Sequence, residues 1–223
     1  MELGDDTLTI SRELSELDND VLAFTRILDA CDVDYVIVSG YVAILTGRSR
    51  STEDIDVILE SLSETETEQL VTELNDQGYW GMAMPLDEMY SMLSEGSRIR
   101  IAEDGEMYPN FETWFVSNDV EREALSNPLA VTFDHGQIDI SPIELQIAYK
   151  LRLAQAADSL SGKDFEDAAL LNRHTALELA GHVLFDVVDE THQDDFTELT
   201  IPLTRSDGGA VRALDRGVHC LCH

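Results

Sequence analysis

The sequence predicts an α/β fold, a small mixed sheet with flanking helices and then a C-terminal helical segment, and three observations carry that expectation. Short β-rich runs alternate with stretches of helical period through the first 140 residues. One such run, Tyr35-Val36-Ile37-Val38, stops abruptly at Ser39-Gly40 and is followed at once by a short helical stretch. From Pro142 onward the pattern is helical, up to a tail from Ile201 that has no sustained period. The chain of 223 residues falls between one large domain and two small ones. We therefore expect a core domain over residues 1–141, a helical segment over 142–200 that closes over a nucleotide, and a tail without structure over 201–223.

The elements follow in order. Leu17, Val21, Leu22, Thr25 and Leu28 recur at helical spacing, with Asp18 to Asp20 as N-terminal caps, which predicts a helix over Leu17–Cys31. Tyr35–Val38 reads as a buried strand, Tyr41–Leu45 as a short helix ended near Gly47, and Arg48–Thr52 as a polar loop. Asp54–Glu60 alternates acids with Ile55, Val57 and Leu59 and is the second strand. Thr65–Asn75 and Leu86–Leu93 are helical, Arg98–Ala102 and Phe111–Val116 extended, and Val120–Leu125 a helical turn or two. Leu129–Phe133 and Gln137–Ile140, separated by Asp134-His135-Gly136, give the best hairpin signal in the chain. Ile143, Ile147, Leu151 and Ala154 then form one apolar stripe and Phe165–Leu171 another, with a last helix expected over His174–Val188.

A formal net charge of -31 raises the question of disorder, but 43% hydrophobic residues in periodic segments exclude it. The acids are dispersed and lysine occurs only at Lys150 and Lys163, the surface expected of a cytoplasmic protein in a halophile. In molar salt the Debye length falls to about 3 Å, which screens the self-repulsion of such a surface. The first residues are acidic, no apolar run reaches the roughly 18 residues that a membrane helix needs, and the expectation is a cytoplasmic protein without a membrane partner. Cys31, Cys220 and Cys222 do not form a disulfide framework, and His219-Cys220-Leu221-Cys222-His223 is too tight for tetrahedral zinc.

A strand that ends in two small residues and enters a helix aims free backbone N–H groups at whatever sits over the turn, and phosphate is the natural occupant. At Ser39 and Gly40 the small side chains allow close approach, and the serine hydroxyl is a further donor. Asp54-Ile55-Asp56 follows on the next strand, where period two puts both carboxylates on one face about 7 Å apart. Carboxylates beside a phosphate cradle supply the hard oxygens that magnesium prefers. A two-metal arrangement activates a hydroxyl and neutralises a leaving pyrophosphate, with a third carboxylate completing one shell.

At this order and spacing, Tyr35 to Glu60 resembles the signature of the nucleotidyltransferase (polymerase β-like) superfamily. That signature is an apolar strand, Gly then Gly or Ser, and Asp-apolar-Asp or Glu after a short interval. The likeness extends to the minimal branch related to abortive-infection-type toxins. Its Arg-x-Thr-x-Asp-apolar-Asp is matched by Arg50, Thr52, Asp54 and Asp56, and its later Lys-Leu and Lys-Asp-x-x-Asp by Lys150-Leu151 and Lys163-Asp164-Phe165-Glu166-Asp167. The chain departs from the signature at Ser39, where the family has glycine. The resemblance implies transfer of a nucleoside monophosphate from a nucleoside triphosphate to an acceptor hydroxyl on RNA, protein or a small molecule, with two Mg2+ ions.

Glu112, in Phe111-Glu112-Thr113-Trp114-Phe115, is the preferred third carboxylate, and Asp139 is the alternative. Lys150 and Lys163 are candidate phosphate contacts by point charge, or a snorkelling lysine and a helix flank. Asp164 with Asp167 fits an N-cap and acidic N3 pair as well as a catalytic role. Two rival readings stand beside the enzyme: a catalytically silent nucleotide- or partner-binding module, and a toxin–antitoxin component with a cognate partner protein.

Overall fold

The computed structural model describes residues 2–3, 7–49, 51–156 and 162–174, together with four short strands nearer the C-terminus. The chain divides into two compact units, Met1–Leu145 and Gln146–His223. The division falls inside a helix, just past the 141/142 boundary read from the sequence.

The first unit runs β1 (Glu2–Leu3), β2 (Thr7–Thr9), α1 (Glu16–Ala30), β3 (Tyr35–Val38), α2 (Gly40–Leu45), β4 (Asp54–Leu59), α3 (Glu64–Asp76), β5 (Tyr79–Gly81), α4 (Met89–Ser94), β6 (Ile99–Glu103), β7 (Asn110–Phe115), α5 (Asp119–Ser126), β8 (Leu129–Phe133) and β9 (Gly136–Ile140). A 3-10 turn at Leu86–Glu88 leads into α4. The strands form one mixed sheet in the order β1-β2-β8-β9-β3-β4-β7-β6-β5. Neighbours run parallel at β2 with β8, β9 with β3 and β4 with β7, and antiparallel elsewhere. The sheet is wider than the sequence suggests because β1, β2 and β5 are too short to leave a periodic signal.

Period two along β7 sorts the core onto two faces. Phe111 stacks on Phe24 of α1 at 3.9 Å, with Tyr79 edge-on to both. Trp114, three residues on, faces the other way and packs with Val36, Val38 and Ile58 beneath Ala124 and Leu125 of α5. The Trp114 indole N–H donates to Glu121, which also accepts from the Ser117 backbone and hydroxyl, so α5 is tied to the strand it covers.

The start of α1 corrects the sequence reading. Its cap is Ser15, in a reciprocal capping box with Asp18 at the third helical position, and Asp18 is 1% exposed. Arg12 donates to both of its carboxylate oxygens at 2.6 and 3.0 Å, and the Tyr41 hydroxyl donates at 2.8 Å. Burial alone would push this carboxyl up, but the hydrogen bonds from Arg12, Ser15 and Tyr41 outweigh it and hold it at about 2.

The second unit begins within α6 (Ile143–Ala156) and includes α7 (Lys163–His174). The Lys150 ammonium, 2% exposed, donates to Asp164 at 2.8 Å and lies 3.3 Å from the fully buried Asp167. The stretch expected as a last helix instead contains β10 (His182–Leu184) and β11 (Asp186–Val187), paired with β12 (Thr200–Pro202) and β13 (Val218–His219). His182-Val183-Leu184 and Val187-Val188 are β-branched and apolar enough to favour extended backbone, which the helical reading underweighted. The rest of that stretch and of the tail, including Cys220 and Cys222, lies outside the described residues.

Candidate active site

The site begins where β3 ends. Ser39 has φ 65° and ψ -121°, a left-handed conformation that glycine adopts freely and serine does not. Ser39 thus carries a serine side chain on a glycine-type backbone. Helix α2 then starts at Gly40, but it has only six residues, so its dipole adds little to any anion binding over the turn. The Ser39 hydroxyl is not free for a ligand, since it hydrogen-bonds the Asp56 carboxylate.

Strand β4 brings the acids to that turn. Asp56 lies opposite Val38 in the antiparallel pairing with β3, one residue short of Ser39. Thr52 donates its hydroxyl to the Asp54 backbone carbonyl at 2.8 Å and approaches the Asp54 carboxylate at 3.4 Å, which fixes the loop that enters the strand. On the other side of β4 the parallel strand β7 places Glu112 opposite Asp56 and Asn110 opposite Asp54. Asp54, Asp56 and Glu112 thus share the sheet face that carries Trp114. All three are part-buried. Burial and then the neighbouring Asp54 push the Asp56 carboxyl up to about 6, with Glu112 adding to the rise and Ser39 and Arg98 opposing it.

Two arginines complete the cluster, and sequence reasoning missed both. Arg100 on β6 pairs directly with Glu112 in register and donates to it at 3.3 Å. Arg98, just before β6, donates to the other Glu112 oxygen at 3.1 Å, stands 3.9 Å from Asp56, and lays its guanidinium over the Trp114 ring at 3.8 Å. The signal was present in the sequence as two bases at strand spacing in a chain with only 14 lysines and arginines.

Of the other sequence candidates, Asp139 lies on β9, two strands from Asp56 and on the opposite side from Glu112. Burial, then Asp29 and Asp34, raise its carboxyl, so its electrostatic neighbours are not the site acids. Arg50 lies outside the described residues. In the second unit, Lys163 is exposed at the start of α7. Asp164 sits within the first turn of α7 rather than capping it, and binds Lys150, whose charge is thereby spent on two carboxylates.

As the side chains stand, no three histidine, cysteine or acidic residues among those described are grouped tightly enough to hold a metal ion. Asp54, Asp56 and Glu112 are nevertheless hard oxygen donors on one sheet face, the donor type that magnesium takes, although both Glu112 oxygens are turned to arginines.

Models of known protein families match nowhere on this chain, and no curated protein matches it. Solved structures do. The lincomycin-bound lincosamide antibiotic adenylyltransferase LnuA is 18% identical with a TM-score of 0.43, covering 72% of this chain and 98% of its own. A nucleotidyltransferase-like protein from Paracoccidioides brasiliensis is 16% identical with a TM-score of 0.48, covering 74% and 83%. ANT(2")-Ia in complex with adenylyl-2"-tobramycin is 11% identical with a TM-score of 0.40, covering 69% and 86%.

Proposed function

We propose that this chain is a magnesium-dependent nucleotidyltransferase that moves a nucleoside monophosphate from a nucleoside triphosphate to an acceptor hydroxyl. One observation carries the reading: Asp54, Asp56 and Glu112 share a face of two parallel neighbouring strands, with Asp56 hydrogen-bonded by Ser39 at the turn. Burial, and then the neighbouring Asp54, push the Asp56 carboxyl up to about 6, and a bound cation would relieve the cost of keeping this part-buried charge. Asp54 and Asp56 would hold magnesium, Glu112 would be the third ligand or the base, and Ser39 and Gly40 would seat the triphosphate. The bound ions would supply Lewis-acid neutralisation of the phosphate oxygens. The acceptor oxygen bonds to the α-phosphorus as the bond to the bridging oxygen of the β-phosphate breaks. Pyrophosphate departs with that electron pair, and the hydroxyl proton passes to a Glu112 carboxylate oxygen.

The test is calorimetry with a non-hydrolysable triphosphate in molar potassium chloride, the medium that the net charge of -31 calls for. Wild-type protein should bind the nucleotide only with magnesium. Asp56→Asn should weaken that binding by at least about a hundredfold, since replacing even an outer partner of a metal ligand costs 10- to 100-fold. Equal binding by the variant would defeat the assignment.

The engagement of Glu112 by Arg98 and Arg100 favours a second reading, a nucleotide-binding module without turnover. Magnesium-dependent binding without pyrophosphate release from any triphosphate, with host lysate as the source of acceptor, would select it. A toxin–antitoxin role is compatible with either reading and would show as a cognate protein that co-purifies with the chain and suppresses its activity.

A further inference from the structure

Arg98 stands where the proposed site needs a cation. Its guanidinium is within 3.1 Å of Glu112 and 3.9 Å of Asp56, and the flat face not used in those contacts rests on Trp114. The ring is held in turn by its indole bond to Glu121. The Arg98 side chain is nevertheless 45% exposed, so its guanidinium can leave the carboxylates without breaking into the core. Arg100, 54% exposed, touches only Glu112 of the site acids, at 3.3 Å. Arg98 is therefore the cation that bridges the strands, and Arg100 is an accessory to one end of the bridge.

We propose that Arg98 is an internal competitor for the divalent cation, which must displace it from Asp56 and Glu112, and that the nucleotide's phosphates receive the displaced guanidinium. The inference rests on the nucleotidyltransferase reading of the site. Its physical basis is that a carboxylate oxygen cannot serve a guanidinium and a metal ion fully at once, and that arginine pairs with phosphate as readily as with carboxylate. Stacking on Trp114 keeps the guanidinium beside the site as its anionic partner changes. Metal and nucleotide are then coupled through one side chain: each makes room or compensation for the other, and by linkage the coupling is reciprocal. A metal ion arriving alone has to strip Arg98 of its partners and offers it none.

Calorimetric titration of full-length protein with Mn2+ tests this, first alone and then with a saturating non-hydrolysable triphosphate. Arg98→Gln should bind Mn2+ alone about fivefold more tightly than wild type, the scale of a half-exposed ion pair. The gain in Mn2+ affinity that wild type shows on adding nucleotide should shrink by a similar factor. Arg98→Lys should fall between the two, because it keeps the charge and loses the fork, and Arg100→Gln should move Mn2+ affinity less than Arg98→Gln does. Unchanged or weaker binding of Mn2+ alone by a folded Arg98→Gln protein would overturn the competition. If wild type binds Mn2+ and Asp56→Asn does not, such a failure touches only Arg98. If no variant binds Mn2+ at all, the carboxylate site and the competition fall together.

Discussion

Asp18 and Asp56 are two shielded aspartates in the same unit, and their surroundings give them opposite characters. Asp18 is 1% exposed and receives hydrogen bonds from Arg12, Ser15 and Tyr41, which hold its carboxyl at about 2. Asp56 has one hydroxyl donor, a guanidinium at 3.9 Å and two further carboxylates near it, and is pushed up to about 6. Burial raises both; what differs is whether the chain supplies enough donors to offset it. Where it does, the carboxylate is structure, fixing the start of α1 against Tyr41 of α2. Where it does not, the carboxyl stays raised and its charge is only partly offset by Ser39 and Arg98.

The comparison is broken most directly by removing each charge in turn. Asp18→Asn keeps the shape but loses the ion pair and a charge-assisted acceptor, and should cost about 2–3 kcal/mol, or roughly 5–10 °C in melting midpoint. Asp56→Asn relieves repulsion and should leave the midpoint of metal-free protein unchanged or higher. Thermal melts of both variants in the same molar salt check the pair. A loss of stability in Asp56→Asn as large as in Asp18→Asn would show that Asp56 is a structural residue after all.

Acid sharpens the same contrast. The Asp18 carboxyl lies below its ordinary value of 3.8, so its stabilisation is fully present above that value and is lost as pH falls through about 2. A raised carboxyl such as Asp56 has the opposite sign: its contribution is present below the ordinary value and disappears as pH rises through about 6. Denaturant midpoints measured from pH 5 down to pH 2 should therefore fall more steeply for wild type than for Asp18→Asn. Parallel curves would mean that the Arg12–Asp18 pair contributes nothing measurable.

Local signals explain which parts were legible. The strand–turn–helix at Tyr35–Leu45 and the alternation of Asp54–Leu59 lie within one stretch of chain, where period and turn chemistry are explicit. The placement of Glu112 opposite Asp56 depends on pairing between strands more than 50 residues apart, and period two could propose it but not fix the register. Arg98 and Arg100 stand at strand spacing, but only the pairing of β6 with β7 brings them to Glu112, and the choice for Lys150 between a phosphate contact and a snorkelling lysine stays open in the sequence because Asp164 and Asp167 lie on another helix. Asp18 reads as an N-terminal cap for the same reason: one of its donors, Tyr41, lies 23 residues on.

The smallest expected effect is at Ser39, and it takes two substitutions to read. At φ 65° and ψ -121° a residue with a Cβ is strained by about 1–3 kcal/mol, while the hydroxyl's bond to the Asp56 carboxylate returns a similar amount. Ser39→Gly removes both, and adds the unfolded-state entropy of glycine, about 0.4–1 kcal/mol. Its melting midpoint should lie close to that of wild type. Ser39→Ala removes the bond and keeps the strain, so it should be less stable than Ser39→Gly by about 1 kcal/mol, a reversal of the usual order of alanine over glycine. Chemical denaturation of the three proteins in metal-free molar salt measures the difference. If Ser39→Ala proved the more stable of the two, the backbone at the turn would not be left-handed, and the close approach of a phosphate to Ser39 and Gly40 would lose its geometric basis.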